Sequence, residues 1–187
     1  PLSSEIVAGE VDVTLRYTVV DERLSRLEAD VDLTDAIMLV PPLKWAKTAG
    51  LPGRARININ MAQDVISAIP RFEIEAEGLK IAGGVVYSPH GTGLERIDFR
   101  ELKVGRTDVR GALIARSDGG WEAGFHGPGL DLTKHWPALW ESLTKGNPEP
   151  DPRWRDLTVA VEFGRLWIDG NRVFDDVSGT FARRDGQ

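Results

Sequence analysis

"VDVTLRYTVVDERLSRLEADVDL" occupies residues 11–33, and the spacing of its apolar residues decides the fold. Val11, Val13, Leu15, Tyr17 and Val19 stand at every second position, with Asp12, Thr14, Arg16 and Thr18 between them. Successive side chains of an extended chain point to opposite faces, so this period of two specifies a strand with one apolar and one polar face. After the polar turn at Asp21-Glu22-Arg23 a second run follows, Leu27, Ala29, Val31 and Leu33, with Glu28, Asp30 and Asp32 facing away. The two runs predict a hairpin.

The same texture spreads outward. "AIMLVPPLKWAKTAGLPG" (36–53) breaks the alternation with Pro41-Pro42 and Pro52-Gly53 and reads as a short strand, a crossing segment and a turn. Alternation resumes at Ala55, Ile57, Ile59 and Met61, then at Phe72, Ile74 and Ala76, at Leu79 and Ile81, and at Val85 and Tyr87. Further strands are expected at 94–104, 107–116, 120–126, 156–163, 165–169 and 173–183. The turns are short and no helical crossover is evident between neighbours, so the reading is a mainly β chain with a meandering antiparallel sheet, residues 1–187 forming one β-rich domain. The paired glycines of "IAGGVV" (81–86) lie inside a β pattern and mark a bulge or bend rather than a phosphate loop.

One segment has a different period. In "LDLTKHWPALWESL" (130–143), Leu132, Trp136, Leu139, Trp140 and Leu143 recur at intervals of three and four. That spacing predicts a short amphipathic helix near 132–143 with Pro137 in its first turn. "TKGNPEPDPRW" (144–154) is rich in Pro and Gly and reads as a surface loop.

Composition narrows the chemistry. A formal net charge of -6 argues against a nucleic-acid binder, which would carry a basic face. With no cysteine, disulfides, thiolate metal sites and cysteine nucleophiles are excluded. No apolar run reaches the roughly 20 residues that span a bilayer, and no basic-then-apolar leader opens the chain. The chain starts at Pro1, which reads as a processed protein or an excised piece of a longer one.

His90, His126 and His135 lack ligand spacing, so a metal centre is not expected. The carboxylates Asp30, Asp32, Asp35, Asp131, Asp151 and Asp156 do not single out a catalytic pair, and those in strands fall on the polar face. No nucleophile elbow, phosphate loop or dinucleotide fingerprint is present. The six tryptophans, Trp45, Trp121, Trp136, Trp140, Trp154 and Trp167, offer carbohydrate stacking, but Trp121 and Trp167 belong to alternating strands, where packing is the commoner use. No enzymatic activity and no cofactor are expected.

"TDVRGALIAR" (107–116) is echoed by "DDVSGTFARR" (175–184): Asp108, Val109 and Gly111 align with Asp176, Val177 and Gly179, 176 − 108 = 68 residues apart. The echo reads as a β-unit that recurs, not as a reactive site used twice. Half-apolar strands must bury that face against a second sheet, in a closed barrel, or along a curled sheet whose concave side is an apolar trough.

"LERIDFRELKVGRTDVRGALIARSDGGWEAGFHGPGLDLTKHW" (94–136) resembles the AsmA-like family of bacterial envelope proteins, relatives of TamB and YhdP, in its strand, polar "SDGG" turn, strand, and "GPGLDL" step into a short helix. "LEADVDLTDAIMLVPPLKWAKTAGLPGRARININ" (27–60) resembles that family's preceding unit, and "GRLWIDGNRVFDDVSGTF" (164–181) the start of the next. The resemblance implies one segment of a longer repeat-built periplasmic protein, tethered to the inner membrane by an anchor outside this chain. It also implies a curled β-groove that conducts phospholipid toward the outer membrane or maintains that membrane, with neighbouring β-segments of the same chain as partners. The groove candidates are Val13, Leu15, Tyr17, Val31, Leu33, Ile57, Ile59, Phe72, Ile74, Phe99, Leu113, Phe125, Val159, Val161 and Phe181. The alternatives are that these form an ordinary closed core, in a structural or protein-interaction module of the envelope, or that the chain is a carbohydrate-active enzyme. The helix with Trp136 and Trp140 would cap the sheet's end or lid the trough.

Overall fold

The computed structural model describes residues 6–88, 93–137, 141 and 156–183. The chain divides into two compact units, 1–105 and 106–187.

The first unit contains β1 (Ile6–Gly9), β2 (Asp12–Val19), β3 (Leu24–Asp32), β4 (Ala36–Val40), β5 (Trp45–Lys47), β6 (Gly53–Ala62), β7 (Val65–Ala76), β8 (Leu79–Tyr87) and β9 (Leu94–Val104). Six of them pair in the order β9-β8-β7-β6-β3-β2, every neighbour antiparallel. The turns explain the register. Asp21 Oδ1 accepts the N–H groups of Arg23 at 2.7 Å and Leu24 at 2.9 Å, closing the β2–β3 connection. Gln63 and Asp64, at φ 51° and 62°, form a two-residue connection between β6 and β7 whose left-handed twist suits a tight hairpin. Bulges interrupt the β7–β8 ladder between Ile69 and Phe72 and the β8–β9 ladder between Ala82 and Gly83, as the paired glycines suggest. Arg100 donates to the carbonyls of Pro70, at 3.0 Å, and Gly83, so acceptors beside the bulges are satisfied.

From the segment 36–53, β4 and β5 join β1 in a small second sheet, β1-β4-β5, with a one-turn 3₁₀ helix at Pro41–Leu43. Its Ala36, Met38, Val40 and Trp45 pack with Leu33, just past β3, and with Ala55 and Leu79 of the large sheet to form the unit's core.

The second unit holds β10 (Thr107–Ala115), β11 (Trp121–Asp131), β12 (Leu157–Trp167) and β13 (Val173–Arg183), in the order β10-β11-β12-β13. Two expectations are corrected. β11 and β12 pair in parallel, not as an antiparallel meander, because residues 132–156 between them are long enough to return the chain to the same end. β12 is also one strand where two were expected: Gly164 lets it pass the Pro128 carbonyl, 3.0 Å from where a Cβ would sit, and the pairing continues on both sides. β11 runs through Gly127-Pro128-Gly129 because Pro128 falls at the bulge opposite Val109, where a missing N–H is tolerated. Of the expected helix, Trp136, Pro137 and Glu141 have helical backbone; 138–140, 142 and 143 lie outside the described residues, as do His90, Trp154 and Asp151.

Candidate functional site

Strand pairing puts opposed residues on a common face. In the first unit one row runs Val13, Val31, Ala55, Ile74, Ile81 and Leu102 across β2, β3, β6, β7, β8 and β9. The next row is Leu15, Ala29, Ile57, Phe72, Gly83 and Phe99, and a third begins Tyr17, Leu27, Ile59. Nine of the ten candidates from this half of the chain therefore lie on one face of one sheet, in adjacent rows, and the tenth, Leu33, is just past the end of β3.

The face is covered unevenly. Leu33 is buried in the core beneath the small sheet, and Val31 and Ile74 pack against that core. Ile57, Ile59, Phe72 and Phe99 are half-buried and stand outside it, while Leu15 is 62% and Tyr17 57% exposed. Phe72 and Phe99 meet edge to face at 6.4 Å, and Phe72 reaches over Gly83, its ring 2.5 Å from where a Cβ would sit. The glycine thus lets an aromatic lie down on the sheet, keeping this row shallow.

The sealed end is anchored by two side chains of β5. Trp45 Nε1 donates to the Glu77 carbonyl at 3.0 Å, in the β7–β8 turn. Lys47, only 2% exposed, donates from Nζ to the carbonyls of Thr34 at 2.8 Å, Ala36 at 2.9 Å and Thr48 at 3.1 Å, so its three protons are all used. Both belong to the segment where alternation fails, and the sequence reading missed their part in closing the sheet; an isolated Trp-x-Lys among apolar residues was the available signal.

The opposite face is charged and paired. Arg54 donates to both oxygens of Asp30 at 2.7 and 2.8 Å, with Arg56 at 3.4 Å; Lys103 and Lys80 hold Glu101 at 2.9 and 3.2 Å. Hydrogen bonds from Arg54 hold the Asp30 carboxyl below its ordinary range, as Lys103 does for Glu101, Arg71 for Glu73 and Arg96 for Asp98. Such groups are committed to structural pairing, as on a solvated face.

In the second unit, Leu113, Ala123, Val159 and Phe181 form one row and Gly111, Phe125, Val161 and Gly179 the next. The five remaining candidates again share a face. Leu113, Phe125, Val159 and Val161 are half-buried and Phe181 is 56% exposed; Phe163 and Val109 are buried beyond them. Arg106 lies over the Trp167 ring at 5.2 Å and donates to Asp131 at 2.9 Å, placing Trp167 in packing. Burial would raise the Asp131 carboxyl, but hydrogen bonds from Thr133 and the Arg106 guanidinium bring it below its usual range.

A hollow of about 350 Å³ gathers His126, Glu162, Asp176 and Ser178 on β11, β12 and β13. Cross-strand pairing places Glu162 between His126 and Ser178, so the carboxylate separates imidazole from hydroxyl and a nucleophilic relay is not formed. Among the described residues no cluster of His, Asp or Glu could hold a metal ion, and no helix is long and apolar enough to cross a membrane. The dominant surface feature is the register-aligned apolar face, and comparison of this chain with family models, curated proteins and solved structures finds no match.

Proposed function

We propose that the chain is a non-enzymatic lipid-binding segment, whose apolar sheet face receives acyl chains while the headgroup stays in water. The observation that carries this reading is the pair of apolar rows crossing six strands, closed at one end by the small sheet and uncovered toward Leu15 and Tyr17, with Ile59 half-buried in the row beyond. Each methylene an acyl chain buries there contributes about 0.8 kcal/mol, so a dozen offset the ordering of a lipid without any directed polar contact. A charged reverse face keeps such a segment soluble without competing for the ligand.

In this proposal the sheet curls to make the uncovered rows a trough. The resemblance of residues 27–60, 94–136 and 164–181 to AsmA-like units extends the proposal to phospholipid movement to, or maintenance of, the outer membrane. The segment would then belong to a longer periplasmic chain tethered to the inner membrane. The test is organic extraction of the purified chain followed by lipid mass spectrometry. A stoichiometric phospholipid, lost in Leu15→Asp/Ile59→Asp, supports the reading; a lipid-free preparation that also fails to take up phospholipid from vesicles overturns it.

A second reading is favoured by the exposure of β2 on both faces: an envelope interaction module whose apolar face is covered by protein. Uptake of lipid in the first test separates the two.

A further inference from the structure

The internal repeat carries an inference about a partner strand, independent of whether the apolar face binds lipid. Gly111 of β10 lies opposite Phe125 of β11, whose ring comes 2.5 Å from where a Cβ would sit. The aligned Gly179 of β13 has nothing within 4 Å of the same point. Likewise Leu113 is half-buried beside Ala123, whereas its counterpart Phe181 is 56% exposed. β13 pairs with β12, the strand before it, and among the described residues its other edge carries no strand; β10 takes β11, the strand after it. Backbone irregularity repeats too: the β10–β11 ladder shifts between Asp108 and Arg110, and Asp176 adopts φ 52° at the aligned position.

We infer that the free edge of β13 is a docking site for an extended antiparallel strand of the β11 kind, with an aromatic residue opposite Gly179 and a small residue opposite Phe181. The edge supplies unpaired backbone groups for the ladder, and the bare glycine supplies the seat that selects an aromatic at one position. Edge pairing alone would accept any extended chain; the seat over Gly179 fixes register.

The probe is a synthetic peptide with the sequence of residues 121–131, titrated into the ¹⁵N-labelled chain. The expected result is amide shifts centred on residues 173–183. Binding should weaken about tenfold when the peptide carries Phe125→Ala and again when the protein carries Gly179→Val. The peptide substitution leaves the protein untouched, and Gly179→Ala is the smaller step should valine disturb the strand. The inference is overturned if the peptide does not bind at millimolar concentration, if the shifts map away from β13, or if the peptide lacking its Phe binds equally well. Self-association of the chain that Gly179→Val abolishes would also overturn it, by giving the edge to a second copy.

Discussion

Gly111 and Gly179 hold the same place in two copies of one motif, yet their surroundings differ sharply. A Cβ on Gly111 would lie 2.1 Å from the Gly124 carbonyl oxygen, a backbone atom that cannot swing away, while one on Gly179 would meet open space. Gly111→Ala should therefore cost about 1–3 kcal/mol and Gly179→Ala no more than about 0.5 kcal/mol, read from urea midpoints. Lys47 makes a second test. Lys47→Met keeps the aliphatic stem but leaves three carbonyls without their shared donor, and should cost about 2–3 kcal/mol. The echo was legible in the sequence because it is a matter of residue identity. Which of its glycines is obligatory was not, since that depends on the strand lying across from each.

Strands were the most legible elements, because a period of two is written directly in Val13, Leu15 and Tyr17 or in Ile57 and Ile59. β9 and β13 fall at the expected 94–104 and 173–183. Alternation says nothing about strand direction, so the parallel β11–β12 pair could not be read from it. The small sheet escaped notice for a different reason: prolines at 41, 42 and 52 interrupt the pattern, and its role depends on tertiary packing against Leu33 and Leu79. Candidate residues were legible as a face, whereas the division of that face into a sealed end and an uncovered stretch was not. β2 gives the sharpest prediction at this scale. Because Leu15 is 62% exposed, Leu15→Asp should leave the melting temperature within about 2 °C while reducing phospholipid uptake severalfold. A large loss of stability instead would mean that β2 is part of a closed core.

At the scale of the whole molecule, eight carboxylates among the described residues are held by hydrogen bonds or ion pairs. Asp30, Asp32, Glu73, Asp98, Glu101, Asp118, Asp131 and Asp169 all titrate below their ordinary values of 3.8 for Asp and 4.5 for Glu. A carboxylate depressed by folding stabilises the native state above its unfolded value, and that contribution disappears as pH falls through the folded value. The melting temperature should thus be flat from about pH 8 to about pH 5 and fall below about pH 4, with a shallower fall in 1 M salt, where exposed pairs are screened. The fall therefore tests the hydrogen bonds and ion pairs of these carboxylates, those on the charged face together with those in the turns at Asp118 and Asp169. The central claim, that the opposite face receives lipid, is tested most directly by photo-crosslinking. A benzophenone amino acid is placed at Leu15, at Ile59 or, on the reverse face, at Arg16, and each protein is irradiated with phospholipid vesicles and weighed by mass spectrometry. The account predicts lipid adducts at Leu15 and Ile59 and none at Arg16; equal labelling at all three positions, or none at any, would contradict it.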